Sequence, residues 1–332
     1  MKKLFLSVAV VLVHLSLTAQ DAAELHKTAR AYMQQGDHSN AIIVLNRAVA
    51  LQPGNMEISK DLALNYYFSK DYKKALDVLN PLLDKDNADD QCFQIAGDSY
   101  LALEQVKDAE KLYRRGIKKL PGSGVLYNEL GKILWSQGDL SAIKQWEKGI
   151  ESDPGFAGNY YNAAKYYYFS TDKVWSLLYG EVFLNMDPLN AYAPEMKNIL
   201  LEGYKKLFTD ANLEKHNPEK NSFVAAFLNT MNKQSSVASA GINAETLTMI
   251  RTRFILDWYA SHANKFPHRL FDLQRQLLQD GLFDAYNQWL FAAAQNLPAY
   301  QNWINAHTKE YSELSRFQKN RVFRMGAGQY YH

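Results

Sequence analysis

Cysteine, proline, glycine and long apolar runs are scarce in this sequence, and each scarcity argues against a class of protein. Its single cysteine, Cys92, excludes an intramolecular disulfide, so stability has to come from packing. Nine prolines and 17 glycines in 332 residues are too few for an all-β protein with many tight turns. Beyond the N-terminal segment, no apolar run approaches the roughly 18 residues that a membrane-spanning helix needs. With 47% apolar and 22% charged residues, the composition is that of a globular, helix-rich protein.

An excess of one charge is also lacking. Lys and Arg number 37 and Asp and Glu number 35, and without Lys2 and Lys3 the two totals are equal. Proteins that bind nucleic acid need a strongly basic surface, because the phosphate backbone dominates their affinity. We therefore expect no nucleic-acid partner.

The N-terminal segment, 1–19, is predicted to be a secretory signal peptide. Two lysines precede an apolar stretch from Leu4 to Leu17, and Thr18-Ala19-Gln20 supplies uncharged residues before Asp21. We expect cleavage after Ala19 or Gln20, which would make the protein exported, either periplasmic or secreted. An uncleaved anchor is the alternative. After cleavage we expect no transmembrane segment.

A sequence repeat of constant period runs through the first half of the chain. A small residue followed three positions later by Tyr or Leu recurs, and the small residues step by 34, 34, 34 and 33. These positions are Ala29/Tyr32, Ala63/Tyr66, Gly97/Tyr100, Gly131/Leu134 and Ala164/Tyr167. A second column steps by 34, 34 and 33, with a large apolar residue four positions later. Its members are Ala41/Leu45, Ala75/Leu79, Ala109/Tyr113 and Ala142/Trp146.

A helix-breaking residue ends each repeat, and turn residues divide it in the middle. The ends are at Pro53, Asn87, Pro121, Pro154 and Pro188. Proline stops a helix because it lacks an N–H and clashes with the preceding turn. The sequence Gln35-Gly36-Asp37 is typical of the central turns. Each repeat is thus predicted to be a pair of helices that cross closely at their small residues and stack on the next pair.

This pattern resembles the tetratricopeptide repeat. The large-x2-Leu-Gly/Ala-x2-Tyr, Ala-x3-aromatic and Pro positions of that family match Leu25 to Pro53, Phe93 to Pro121 and Tyr127 to Pro154. Ser59 departs from the pattern in repeat 56–89, and Ser176 and Gly180 make repeat 157–190 the one that fits least. The resemblance, over about residues 22–190, implies an all-α solenoid of five helix pairs. We divide the chain into a signal peptide (1–19), a superhelix (20–190) and a C-terminal helical region or cap (191–332).

The C-terminal region keeps helical periodicity but loses the repeat. Apolar stripes predict helices over 191–208, 222–232 and within 244–323. One stripe consists of Leu247, Ile250, Phe254 and Trp258, with Asn243 as its N-cap. No family resemblance is evident here, and an irregular helical bundle that caps the solenoid is expected.

Residue patterns typical of catalysis are few, and we expect a non-enzymatic protein without cofactor or metal. No phosphate-binding glycine loop, G-x-S-x-G or H-E-x-x-H occurs. His262 and His268 are six residues apart, which does not suit two ligands on one helical face. Asp272, Asp280 and Asp284 are interpreted as cap and turn residues, and Cys92 as a buried small residue.

The resemblance places the binding site on the first helix of each pair, which lines a concave groove in the family. The groove residues selected by helical phase are Arg30, Lys60, Tyr67, Phe68, Asn128, Lys132, Trp135, Tyr161, Lys165 and Tyr168. Asp98 is the only acid in the full set, so acidic groups of a guest are expected to meet Arg30, Lys60, Lys132 and Lys165. Leu64 and Asp98 interrupt the carboxylate-clamp pattern of the family, so that ligand is not implied.

We therefore predict an exported scaffold that binds a peptide or protein partner in cell-envelope assembly or secretion. Three alternatives stay open. The C-terminal helices could fill the groove themselves. They could carry the contacts of a structural envelope subunit, or they could form a glycan-acting enzyme with Asp272 and Asp284 as its carboxylates.

Overall fold

The computed structural model describes residues 20–209 and 212–332, so the predicted signal peptide lies outside the described residues. Within these ranges the chain is helical and contains no strand. It divides into two compact units, Met1–Ile133 and Leu134–His332, which we call the first and second units. No helix in the described ranges has the length and apolar character needed to cross a membrane. The predicted boundary between residues 190 and 191 stays a prediction.

The first unit consists of helix pairs connected by short turns. Its helices are α1 (20–34), α2 (His38–Leu51), α3 (Met56–Phe68), α4 (Tyr72–Leu79), α5 (Asp90–Ala102) and α6 (Val106–Lys119). Helix α7 (Gly124–Ser136) contains the division between the two units. Consecutive helices from α2 to α6 pack against each other, as the repeat predicts.

The central turns of the first four repeats use a left-handed backbone residue at the same repeat position. Gly36, Lys70, Glu104 and Gly138 have φ of 73°, 62°, 60° and 77°. A left-handed residue reverses the chain within three residues, and glycine adopts it without a steric cost. The repeat thus fixes a backbone conformation even where the residue is Lys or Glu.

Side-chain caps also recur with the repeat. Asn55, Asp89 and Ser123 precede the first helices of successive pairs and accept hydrogen bonds from backbone N–H groups two or three residues into the helix. Asp37 and Asp71 do the same before the second helices. Each cap satisfies an N–H that has no partner inside its helix.

Both small-residue columns lie in the core. Ala29 and Ala63 of the first column, and Ala41 and Ala75 of the second, are 0% exposed. At Gly97 the packing is tightest, since an added Cβ would lie 2.2 Å from the Tyr113 ring and hydroxyl. The prediction that small residues mark the helix crossings is confirmed.

The second pair departs from the regular pattern. Helix α4 has eight residues and ends at Leu79, because Pro81 cannot continue the helix. The carbonyls of Leu83 and Lys85, left without helical partners, accept hydrogen bonds from Lys119 Nζ.

The second unit continues the helical fold without a regular period. Its helices are α8 (Ala142–Ser152), α9 (Ala157–Phe169), α10 (Lys173–Met186), α11 (Ala193–Thr209), α12 (Ser222–Asn232), α13 (Ser235–Ala238), α14 (Ala244–Ser261), α15 (Arg269–Gln279), α16 (Phe283–Asn287), α17 (Ala293–Gln295), α18 (Leu297–Ala306) and α19 (Thr308–Lys319). A 3₁₀ turn spans Leu213–His216, and a π-helical turn, Gln288–Ala292, joins α16 to α17. The all-α fold, with helix pairs followed by an irregular helical region, is confirmed.

Helix α10 is the centre of the second unit. Every residue from Lys173 to Leu184 is buried, which is expected of a helix covered on all sides. An added Cβ at Gly180 would lie 2.7 Å from Met196 Sδ, and one at Gly203 would lie 3.0 Å from Leu177. Gly180, one of the two small residues that weaken the fifth repeat in sequence, is therefore needed for close packing against α11.

A buried ion pair connects α10 to the C-terminal helices. Arg251 donates to Glu181, and both side chains are almost completely buried. Glu181 also accepts from Gln274 Nε2 and the Tyr286 hydroxyl, each at 2.8 Å. Asn287 Oδ1 accepts a further hydrogen bond from Arg251. Such a network specifies one arrangement of these helices, because each member without its partners would be costly.

Candidate functional site

The first unit carries six of the predicted groove residues on α1, α3 and α7. Arg30, Phe68 and Lys132 are exposed, and Tyr67 is half-buried. Lys60 and Asn128 are buried, at 7% and 6% exposure. We call this set, with the acids that contact it, the first-unit face.

Two cations of the first-unit face are paired with carboxylates of the same chain. Arg30 Nε donates to Asp61 Oδ2 at 2.9 Å. Lys60 Nζ donates to Asp89 Oδ2 at 2.6 Å and to Glu57 Oε1 at 2.9 Å. Burial alone would lower the pKa of Lys60, but its bonds to Asp89 and Glu57 raise it above its usual value. These pairs reduce the attraction that the face would exert on acidic groups.

The third cation lies beside two acids. Lys132 Nζ donates to Glu129 Oε2 at 2.6 Å, and Glu129 is only 4% exposed. Asp98 accepts a long hydrogen bond from the Tyr113 hydroxyl, at 3.4 Å, and forms no ion pair with the described residues. Burial, with repulsion from Glu129, raises the pKa of Asp98 to about 6. The charge of Lys132 lowers this pKa in part, but within the part of the chain that the structure describes Asp98 forms no direct ion pair.

The charge of the first-unit face differs from the sequence prediction. The first-unit face contains three cations and five carboxylates, so it is not basic. The carboxylates are those of Glu57, Asp61, Asp89, Asp98 and Glu129. The expectation that Asp98 is the only acid there is wrong. Glu57 and Glu129 stand three residues before Lys60 and Lys132, a spacing that places each pair on one helix face. That spacing could have revealed these two pairs from the sequence.

Aromatic rings lie beside these charges. Phe68 is 53% exposed and stacks on His38 with ring centroids 5.1 Å apart. Tyr67 packs against Phe68 and Tyr72 at 5.8 and 5.5 Å. Burial and the nearby Asp98 raise the pKa of Tyr67. The face thus offers exposed ring surface next to negative charge.

The second unit carries the remaining four predicted residues. Trp135 is 40% exposed and contacts Trp146 and Tyr166. The other three contact α11 or the residues just before it. Their partners are Tyr192 and Glu195 for Tyr161, Glu195 for Lys165, and Lys206 for Tyr168. All ten residues remain predictions as binding residues.

The Cys, His and Asp residues considered above as catalytic or metal-binding candidates are buried or hydrogen-bonded within the fold. Cys92 is fully buried, and burial raises the pKa of its thiol to about 12. His268 is buried among aromatic rings, and burial lowers its pKa to about 3. Asp272 accepts a hydrogen bond from Tyr259, while burial raises the pKa of Asp284. In the ranges 20–209 and 212–332, no group of three or more His, Cys, Asp or Glu side chains is placed to hold a metal ion.

Comparison with known proteins agrees with the repeat architecture. Residues 34–116 match the family model described as anaphase-promoting complex, cyclosome, subunit 3. Residues 96–155 match a tetratricopeptide repeat model. A curated relative, the BBSome complex member BBS4 of Bos taurus, is 31% identical over 121 residues, or 35% of this chain. The match spans only 23% of that relative's length.

Solved structures with some similarity are also tetratricopeptide repeat proteins. One from Thermus thermophilus is 13% identical, with 55% of this chain and 99% of that chain covered and a TM-score of 0.43. One from Parabacteroides merdae is also 13% identical, with 78% and 98% covered and a TM-score of 0.44. Together with the repeat columns and their buried positions, the family matches show that the first half of this chain contains tetratricopeptide repeats.

Proposed function

We propose that this protein is an exported scaffold whose first-unit face holds a segment of a partner protein. The tetratricopeptide fold supports a role in protein–protein interaction, and members of the family are generally non-enzymatic scaffolds. The name of the bovine relative, a complex member, fits the same kind of role. A place in envelope assembly or secretion is part of the proposal.

The exposed ring of Phe68, which packs on Tyr67 near the Asp98 carboxylate, carries the proposal. An exposed aromatic side chain on a rigid helical face is a typical contact for a partner, since covering it removes apolar surface from water. Tyr67 lies next to Phe68 and close enough to Asp98 for that carboxylate to raise its pKa. The rings and the charge therefore lie within reach of one guest segment.

The charge pattern indicates the chemistry of the guest. Arg30, Lys60 and Lys132 already have carboxylate partners. Asp98 feels the charge of Lys132 but forms no direct ion pair with a described residue, so a Lys or Arg side chain of the guest would supply the direct pairing that the chain leaves open. A cationic segment with an adjacent apolar residue is favoured over the acidic segment that the sequence suggested.

Site-specific crosslinking in the native cell tests the first-unit face. A photoreactive benzoylphenylalanine at Phe68 is expected to give a defined crosslinked adduct. Adding Asp98→Lys should remove that adduct, because the new cation repels the guest. The matched control places the same probe at Ile43, an exposed residue of the second helix of the first pair. If Phe68 and Ile43 give the same adducts, or if Asp98→Lys leaves the Phe68 adduct unchanged, this face is not the binding site.

Export is supported by the order of charges and apolar residues before Asp21. Intact mass measurement of the protein from its native host tests this part. A mass that begins at Gln20 or Asp21 is expected. A mass that includes the predicted signal peptide would contradict cleavage, and fractionation would then show whether the chain stays attached to a membrane.

A further inference from the structure

The last residues of the sequence cross the surface of the second unit without regular structure. We call residues 322–332 the tail. It contains one turn, and its backbone is otherwise neither helical nor paired in a strand. Phe323 and Met325 are buried, whereas Val322 is 79% exposed. The tail is therefore attached at a few side chains rather than along its length.

Tyr331 is held in the way that a peptide side chain is held by a receptor. Its ring stacks on Phe223 at 4.7 Å and meets the edge of Phe266 at 5.7 Å. Its hydroxyl donates to the Pro267 carbonyl at 2.6 Å. Asn221 Nδ2 donates to the Tyr331 carbonyl at 2.6 Å. Ring, hydroxyl and main chain are each recognised, so the site distinguishes Tyr from Phe.

A second site receives the next residue. The His332 Nε2 lies 2.6 Å from the Tyr167 hydroxyl, and its Nδ1 lies 3.2 Å from Glu147 Oε1. The ring also meets the Trp175 indole at 5.2 Å. Burial raises the pKa of Glu147 to about 7 and lowers the pKa of His332. These contacts fix the residue that follows the tyrosine.

The tail does not fill the space beneath it. A cavity of about 300 Å³ lies between its residues 325–330 and the helices; the wall residues are Ile150, Glu151, Pro154 and Tyr160. The cavity is partly open to solvent, so a longer or bulkier segment than the tail has room to enter it. Two polar atoms near the tail, the Tyr179 hydroxyl and His268 Nδ1, are buried with no hydrogen-bond partner among the described residues. Burial raises the pKa of Tyr179, and its interaction with the Tyr330 phenol raises it further; the His268 ring stacks near Tyr331 at 6.3 Å.

We propose that the tail is an intramolecular ligand, and that the Tyr331 and His332 sites with the cavity beside residues 325–330, together called the channel, bind an extended peptide segment of a partner. The segment would present a tyrosine to the Phe223 site, followed by a hydrogen-bonding side chain for Tyr167 and Glu147. The tail has the advantage of a high effective concentration, because it is tethered. A partner segment that also fills the cavity would gain contacts that the tail lacks. This site belongs to the second unit and is independent of the first-unit face.

A competition experiment on the full-length protein tests the channel. The probe is a fluorescein-labelled synthetic peptide of residues 320–332, and binding is followed by fluorescence anisotropy. Full-length Tyr331→Ala/His332→Ala protein is expected to bind the peptide at least about tenfold more tightly than the wild type, whose own tail competes. The same peptide carrying Tyr331→Ala is expected to bind the double variant about 30-fold more weakly, as for the loss of an aromatic anchor.

Two results would overturn the proposal. One is a double variant that has the circular dichroism and melting temperature of the wild type but binds neither peptide. The other is equal affinity of wild type and variant for the peptide, since the tail would then not occupy the channel. If the double variant loses its fold, the comparison is made on His332→Ala alone. That change leaves the Tyr331 site intact, and a smaller gain in peptide affinity over the wild type is expected.

Discussion

The two units solve the same packing problem in different ways. In the first unit each helix repeats the contacts of the equivalent helix in the preceding repeat, and its charges stay near the surface in pairs such as Lys132–Glu129. In the second unit α10 is buried along almost its whole length and contacts helices far away in sequence. Repetition distributes stability over equivalent contacts, whereas the irregular unit concentrates it in a few.

The difference is clearest in how each unit treats a charge. Arg30 is half-exposed, and an exposed pair of this kind contributes little because water screens it. Arg251 is buried with Glu181, where the loss of one partner leaves an uncompensated charge in the interior. The second unit should therefore be much more sensitive to single substitutions at polar positions.

The largest effect is expected from Arg251→Met. It leaves Glu181 buried without its cation and should lower the free energy of unfolding of the second unit by about 3–5 kcal/mol. All six tryptophans lie at position 135 or later, so urea unfolding followed by tryptophan fluorescence reports on this unit. The control is Arg251→Met with Glu181→Gln, which removes both charges and should recover part of the loss. A decrease below about 1 kcal/mol for the single variant would contradict the account.

A smaller loss is expected from Gly97→Ala in the first unit. The added methyl would lie 2.2 Å from the Tyr113 ring and hydroxyl, and overpacking of this kind costs about 1–3 kcal/mol. Urea unfolding followed by far-ultraviolet circular dichroism measures it. Gly122→Ala is the matched control, since its methyl meets no atom within 4 Å. Equal effects of the two variants would show that the helix crossing is looser than described.

Asp98→Asn should change how stability depends on pH. The folded-state pKa of Asp98, about 6, is raised above its ordinary value of 3.8. The folded protein thus holds this proton more tightly, and the contribution of Asp98 to stability falls as pH rises from about 4 to 6. Asn does not ionise, so the variant should gain about 1 kcal/mol relative to the wild type over that range, after discounting for screening by water. Denaturation at several pH values tests this, and a difference independent of pH would be the contrary result.

The smallest effect is a gain in stability at the left-handed turns. Lys70→Gly removes the steric cost of a positive φ and should stabilise the first unit by about 0.5–1 kcal/mol. The opposite change at the equivalent position, Gly36→Ala, should destabilise by a similar amount. Melting temperatures followed by circular dichroism measure both. The same sign for the two variants would mean that the turns do not share one conformation.

Much of the fold could be predicted because the same residue types recur at the helix contacts of successive repeats. The small residues Ala29, Ala63 and Ala75 lie where the period places them, and Pro53 and Pro121 each stand two residues beyond a helix end. Periodicity also predicted the C-terminal helices, including the Asn243 cap. These signals are local, so they survive without knowledge of the tertiary structure.

The rest depends on residues that meet only in the folded chain. Glu181 and Arg251 are 70 positions apart, and Tyr331 is 108 positions from Phe223. No repeat or helical spacing in the sequence indicates either contact. At the candidate site, Asp61 pairs with Arg30 and Asp89 pairs with Lys60. In each of these ion pairs the carboxylate belongs to, or caps, the first helix of the next helix pair. Helical phase alone therefore gave a basic face, whereas in the described ranges its three cations are paired with carboxylates and Asp98 forms no direct ion pair.

Selection from a random peptide library on immobilised protein tests the central claim, that the first-unit face recognises a cationic segment. Peptides selected by the wild type are expected to be enriched in Lys or Arg next to an apolar or aromatic residue. That enrichment should disappear for the Asp98→Asn/Phe68→Ala variant. Enrichment of acidic peptides, or a selection unaffected by the two substitutions, would contradict the account.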